Sequence, residues 1–205
     1  STYEYGSTVE ITANPDNGWQ FVEWQDDVTS SNNPVQVTVD ASIEVNALFS
    51  EQTSSSLFYL DTNGVTVKCE DAEVGDSGVV NGITYTKRSA GQITPANAET
   101  TCTSEITNMA GMFENALTFN GNINHWDVGY VTDMSNMFAN DTLFAGDISH
   151  WDVSNVLDMN SMFENAYAFN GDIGVWDVSS VTNMSSMFTG TRTFDRNLSS
   201  WDVSA

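Results

Sequence analysis

The chain has 205 residues, 40% of them hydrophobic and 11% aromatic, so it carries the material for a packed core and is no acidic disordered tail. Its 28 acidic residues face five basic ones, a formal charge of −23 that opposes binding to nucleic acid and to anionic membranes. No apolar run is long enough to span a bilayer, which argues against direct membrane insertion. There is no signal peptide and the chain stops directly after a repeat motif, so it reads as a fragment of a longer exported protein.

From the N-terminus, Thr8–Thr12, Trp19–Trp24, Val35–Val39 and Ile43–Phe49 alternate apolar and polar residues, which predicts half-buried strands. Asn14-Pro15-Asp16-Asn17-Gly18 predicts a turn, and Phe21 and Trp24 are expected in the core. The string from Tyr5-Gly6 through Gly18, Phe21 and Trp24 to Asn46-Ala47-Leu48-Phe49 resembles the divergent internalin-type B-repeat module. That resemblance implies a small β-rich spacer or adhesive unit over 1–50 of a bacterial surface protein.

Residues 51–105 are expected to hold a Ser/Thr-rich linker at 50–56 and then a β-rich cap for the repeats that begin at Ile106. Phe58–Leu60, Val65–Val67 and Ile83–Tyr85 predict short strands parted by the turns Asn63-Gly64 and Asn81-Gly82. Cys69 and Cys102 belong to no CxxC or Cys/His cluster, so a disulfide is the favoured reading, with buried free thiols as the alternative.

From Ile106 the chain divides without gaps into four 25-residue units: 106–130, 131–155, 156–180 and 181–205. All eight methionines fall there, in the columns Met109, Met134, Met159, Met184 and Met112, Met137, Met162, Met187. Columns of Phe (Phe113, Phe138, Phe163, Phe188 and Phe119, Phe144, Phe169, Phe194) and of Trp (Trp126, Trp151, Trp176, Trp201) run alongside. A unit this short cannot bury its own apolar side chains, so the units are expected to stack like on like. Ile148, Trp151 and Val153 have LxxLxL spacing, which predicts a short Trp-Asp-Val strand in each coil at a rung of about 4.8 Å. Asn108, Asp133, Asp158 and Asn183 stand where a helix N-cap would, predicting a helical turn over residues such as Ser135–Ala139. Gly121, Gly146 and Gly171 are expected to bend the chain back, with Arg196 in that place in the last unit.

These units resemble the BspA-like bacterial surface-protein leucine-rich-repeat family, whose repeat runs FNGDIxxWDVSxVTxMxxMF. The resemblance implies an α+β fold: a leucine-rich-repeat-like solenoid over 106–205, export to the cell surface, and a role in adhesion or protein binding. The ligand would be set by exposed positions and not by the fold.

Chemistry is sparse. His125 and His150 share a column with Val175 and Ser200 and have no nucleophile beside them, and there is no HExxH, P-loop or EF-hand. The carboxylates mostly recur once per unit, whereas a catalytic pair is expected to break a repeat, so no catalytic residue is assigned. Asp127, Asp152, Asp177 and Asp202 would repel one another if stacked bare, and two remedies are open. The carboxylates cap the following turn, or they bind calcium together with Asn122, Asp147, Asp172 and Asn197. The tryptophan column is either core or, if exposed, a stacking platform for polysaccharide. The expected function is a non-catalytic adhesion or interaction module, secreted or on the bacterial surface, that contacts a protein or glycan on another cell. Its candidate face is Asp127, Asp152, Asp177, Asp202, His125 and His150. The alternative is a carbohydrate-binding accessory module of a secreted enzyme.

Overall fold

A computed structural model of the chain describes residues 3–15, 19–51 and 57–204. Residues 16–18 of the expected first turn and 52–56 of the expected linker lie outside them. The chain forms two compact units, Ser1–Ser55 and Ser56–Ala205.

In the first unit β1 (Thr8–Ile11) pairs antiparallel with β3 (Val35–Thr38), and β2 (Trp19–Asp26) with β4 (Val45–Glu51). Burial alternates along β1 and β3, as period-two side chains on a half-buried sheet must. A register shift between Phe21 and Glu23 leaves Val22 exposed and sets Phe21 and Trp24 side by side, with ring centroids 5.2 Å apart. Trp24 is buried, and its indole N–H donates to the Asn32 carbonyl at 3.0 Å, which satisfies the one polar atom that burial would orphan.

The second unit opens with β5 (Tyr59–Leu60) antiparallel to β6 (Val67–Lys68). The hairpin of β7 (Ser77–Val80) and β8 (Ile83–Lys87) turns on Asn81 and Gly82, both at positive φ as a two-residue hairpin loop needs. β9 (Thr101–Cys102) then runs parallel to β8. The Cys69–Cys102 disulfide joins the end of β6 to β9, with both residues fully buried. β7 was not expected from the sequence. Its Gly78 is required by packing, because a Cβ there would sit 2.5 Å from the Phe58 ring.

From Ile106 onward the regular structure is not the α+β leucine-rich-repeat-like solenoid that the sequence led us to expect. Every regular element of the described residues is a strand or bridge, apart from 3-10 turns at Ala90–Gln92 and Ala98–Thr100. Neither the helix over Ser135–Ala139 nor the Trp-Asp-Val strands form. The helix fails for a local reason. Gly111, Asn136, Ser161 and Ser186 are left-handed (φ 52° to 62°), and so, four residues later, are Asn115, Asn140, Asn165 and Gly190 (φ 57° to 74°). A left-handed residue in every turn cannot continue a right-handed helix.

The backbone hydrogen bonds alternate instead. Met134, Asn136, Phe138 and Asn140 donate to the carbonyls of Asp158, Asn160, Met162 and Glu164 in the next unit, at 2.7–2.9 Å. Met137, Ala139 and Asp141, between and after them, donate back three residues within their own unit. The same scheme joins repeat 106–130 to repeat 131–155 and repeat 156–180 to repeat 181–205, and parallel bridges run Asn108–Asp133–Asp158–Asn183. The units are thus layers of consecutive turns laid against one another.

Side chains of like kind meet between layers. Trp126, Trp151 and Trp176 stack within 3° of parallel at 6.2 and 6.5 Å, wider than a strand rung. Phe138 stacks on Phe144 at 4.0 Å in its own layer and on Phe163 at 5.6 Å in the next. Gly146 and Gly171 do not bend the chain by positive φ. They leave room for the Phe144 and Phe169 rings, which a Cβ would approach to 2.9 Å. Each indole N–H donates to a carbonyl 28 residues earlier: Trp126 to Ala98, Trp151 to Ile123, Trp176 to Ile148 and Trp201 to Ile173. Trp126, Trp151 and Trp176 are buried and Trp201 is half-buried, so the column is core and offers no stacking platform.

Candidate functional site

The Asp of each Trp-Asp-Val segment stands at the head of a tight turn. Asp152 Oδ1 accepts the Ser154 N–H at 3.1 Å and its hydroxyl at 2.6 Å, and Asp177 treats Ser179 alike at 3.1 and 2.7 Å. Asp202 accepts the Ser204 N–H at 3.1 Å. The Ser179 and Ser204 hydroxyls and N–H groups hold the Asp177 and Asp202 carboxyls below their ordinary value. These three carboxylates are exposed turn caps, each anchored in its own layer.

Asp127 differs. It is buried, its Oδ2 accepts the Ser104 hydroxyl at 2.7 Å, and its backbone carbonyl accepts the Thr103 hydroxyl at 2.9 Å. It therefore joins the first layer to the segment carrying the disulfide. Lys68 Nζ lies 3.9 Å from Asp127 Oδ2 and 3.1 Å from Glu70 Oε1. Burial pulls the Lys68 ammonium down, but the Glu70 hydrogen bond and the Asp127, Glu70 and Asp61 charges outweigh it and hold it above its ordinary value. Tyr59 donates to Glu70 Oε2 at 2.8 Å, and burial together with that carboxylate pushes its phenol up to about 12.

The histidines part company. His125 is buried against Tyr85, with ring centroids 4.9 Å apart and Nε2 3.0 Å from the Thr101 carbonyl. Burial pulls its imidazole below the ordinary value despite the Thr101 bond, which favours the neutral ring packed on Tyr85. His150 is exposed, with Nδ1 3.2 Å from Asn124 Nδ2, and Asn124 Nδ2 also donates to Asp147 Oδ2 at 3.0 Å. Burial raises the Asp147 carboxyl, but the Ser149 N–H and hydroxyl and the His150 charge bring it below its ordinary value. Asp172 is exposed. Among the described residues no three His, Cys, Asp or Glu side chains converge as a metal site does, so Asp127, Asp147, Asp152, Asp172, Asp177 and Asp202 form no preassembled calcium cage.

What the fold does bring together is a cleft of about 300 Å³ where the disulfide segment meets the first two layers. Asp127, Asp152 and His150 of the expected face line it, joined by Lys68, Tyr130 and Asn155. Asp177, Asp202 and His125 do not. Tyr130 is 48% exposed, and Asn155 Nδ2 donates to the Gly129 carbonyl at 2.8 Å, fixing the second layer beneath it. The sequence held a signal for Tyr130 that residue-type searching passed over, since Asn155, Ser180 and Ala205 occupy its column. Lys68 and Asp61 arrive from outside the repeats and carry no such mark. A larger cleft of about 700 Å³ beside Lys87, Arg88 and Glu105 holds its own ion pair between Lys87 Nζ and Glu105 Oε2.

Comparison with known families gives matches over both units. Residues 84–201 match the family model described as Mycoplasma protein of unknown function, DUF285, and residues 1–53 match the Divergent InlB B-repeat domain. The two matches support a bacterial surface-protein family, and the BspA-like leucine-rich-repeat assignment is finer than they carry. No curated protein and no solved structure matches the chain.

Proposed function

We propose that this chain, which belongs to the family described as Mycoplasma protein of unknown function, DUF285, is a non-catalytic interaction module of a bacterial surface protein. The observation that carries the reading is the cleft around Tyr130: dissimilar side chains converge there, while the repeat's own carboxylates are engaged in capping turns. An exposed aromatic ring beside acidic and amide groups suits a docking spot and lacks the nucleophile–base pairing of an active site. The buried Cys69–Cys102 disulfide and the two family matches support an extracellular location. No helix among the described residues is long and apolar enough to cross a membrane.

The partner is a protein presenting a basic patch. A formal charge of −23 steers such a partner in, and the exposed Asp152 and Tyr130 give it a charge and an aromatic face to meet. A glycan-binding accessory module is less well supported, since the buried tryptophans leave no aromatic row for a sugar chain.

The test uses beads coated with the chain and applied to cell monolayers. Adhesion is expected to fall with added salt and after protease treatment of the cells, but not after glycosidase treatment. Tyr130→Ala combined with Asp152→Asn is expected to weaken it roughly tenfold. Adhesion that survives protease, or that the double variant retains in full, overturns the proposal.

A further inference from the structure

The residue two places after the aspartate of each Trp-Asp-Val segment is serine in three layers and glycine in the first: Gly129, Ser154, Ser179 and Ser204 share a column. The Ser154 and Ser179 hydroxyls donate to Asp152 Oδ1 and Asp177 Oδ1 at 2.6 and 2.7 Å. Gly129 has no hydroxyl to give, so Asp127 Oδ1 receives only the Gly129 N–H among the described residues, at 3.3 Å. Asp127 is 5% exposed, and burial makes a missing donor costly because solvent can hardly replace it. The backbone shows what surrounds the place where the serine side chain would be. A Cβ built on Gly129 would stand 3.6 Å from Asp127 Oδ1 and 3.7 Å from Asp152 Oδ2. Asp127 Oδ2 takes the Ser104 hydroxyl, and Asp152 Oδ1 takes the Ser154 N–H and hydroxyl. Each carboxylate therefore turns its less engaged oxygen toward one gap above Gly129. That gap opens on the cleft lined by Gly129, Tyr130, Asp127, Asp152, Asp61 and Lys68.

We infer that the gap between Asp127 Oδ1 and Asp152 Oδ2 seats a lysine ammonium of the partner protein, with its methylene stem along the Tyr130 ring. This seat lies in the cleft proposed above to dock a basic protein surface, and it depends on that reading. An ammonium suits the gap because its donors diverge from one point and reach oxygens of two different carboxylates. A guanidinium fork matches the paired oxygens of a single carboxylate, and here each carboxylate has one oxygen committed to Ser104 or Ser154. A metal ion finds too few ligands, since no three His, Cys, Asp or Glu side chains converge among the described residues. Lys68 does not fill the gap. Its Nζ lies 3.9 Å from the other oxygen of Asp127, Oδ2, and bonds Glu70 Oε1 at 3.1 Å. Asp61, Asp127 and Asp152 outnumber it along the cleft, and the 48% exposed Tyr130 ring offers an apolar face to the incoming stem. Gly129 is then the residue that sets specificity, because serine at its place supplies from within the donor that a partner must bring here.

The probe is acetyl-lysine methylamide, titrated into the intact chain at low ionic strength. NMR follows the Gly129 N–H, the Tyr130 ring and the carboxyl carbons of Asp127 and Asp152. Saturable shifts are expected at all four with the lysine probe. None is expected with acetyl-norleucine methylamide, which has the stem without the charge, and acetyl-arginine methylamide is expected to bind several-fold more weakly. Gly129→Ser is expected to weaken lysine binding roughly tenfold, because its hydroxyl takes the place of the ammonium. The fold accommodates that change, since the added Cβ meets both oxygens at ordinary contact distance and Gly129 is not left-handed. Asp152→Asn, at an exposed position, is expected to weaken binding in the same way with the melting temperature unchanged. Absence of lysine-specific shifts, arginine binding as tight as lysine, or full binding by Gly129→Ser each overturns the inference. Bead adhesion that keeps its sensitivity to salt and protease in any of those cases leaves the docking reading standing. Lysine binding at Gly129 without such adhesion overturns that reading and keeps the ammonium seat.

Discussion

Asp141 is the side chain that the repeat tolerates least. It stands in the column of Ala116, Ala166 and Thr191, has no exposed surface, and its Oδ2 has no hydrogen-bond partner. The Leu143 N–H reaches Oδ1 at 3.4 Å. Burial, only partly offset by the Leu143 and Phe144 N–H groups, pushes the carboxyl from 3.8 up to about 7. A folded value above the unfolded one means that the fold prefers the protonated acid. The stability this group allows is full below pH 4 and is lost as pH rises through about 7. Asp141→Asn is therefore expected to stabilise the chain at pH 8 by on the order of 2 kcal/mol and to change little at pH 4. Urea unfolding of the two proteins across that range checks it, and a difference independent of pH contradicts it.

At the scale of the element, the layer depends on residues that accept positive φ. Ser186 is exposed and left-handed at φ 59°, where Gly111 serves in the first layer. Ser186→Gly is expected to raise stability by roughly 0.5–1 kcal/mol, and Asn136→Ala, at φ 56°, to lower it by roughly 1–2 kcal/mol. Thermal melts of both variants measure this, and the opposite ranking would contradict the turn-built layer. Gly, Asn and Ser at these places were visible in the sequence as the mark of broken helicity. The N-cap reading of Asn108, Asp133, Asp158 and Asn183 outweighed them, because such a side chain caps a non-helical turn equally well, as Asp133 Oδ1 does in accepting the Ser135 N–H at 2.9 Å. Trp151 and Val153 are both buried with Asp152 exposed between them, as a strand would place them, yet Trp151 N–H closes a turn on the Ile148 carbonyl and Val156 N–H another on Val153. The strands of the first unit were legible because their alternation has no competing period: β1 and β3 fall within one residue of expectation at each end. The cleft was half legible. Asp152 and His150 could be placed on it from repeat phase, whereas Lys68 reaches it only through tertiary docking of a segment that does not repeat.

Across the second unit, the disulfide holds β6 and β9 together over a separation of 33 residues, where the Val67 N–H meets the His125 carbonyl at 2.8 Å and Ser104 meets Asp127. Replacing Cys69 and Cys102 by Ala is expected to cost about 3 kcal/mol, read as a lower urea midpoint, and to reduce adhesion through loss of the cleft's Lys68 wall. A variant as stable as the parent would show that the cross-link does not hold this segment in place. The most direct test of the layered architecture is the set of NMR distance contacts in the repeats. Stacked layers require ring contacts of Trp151 with both Trp126 and Trp176, together with amide contacts from Phe138 to Met162. Unbroken helical amide contacts through residues 135–140, with no contact between successive units, would contradict them.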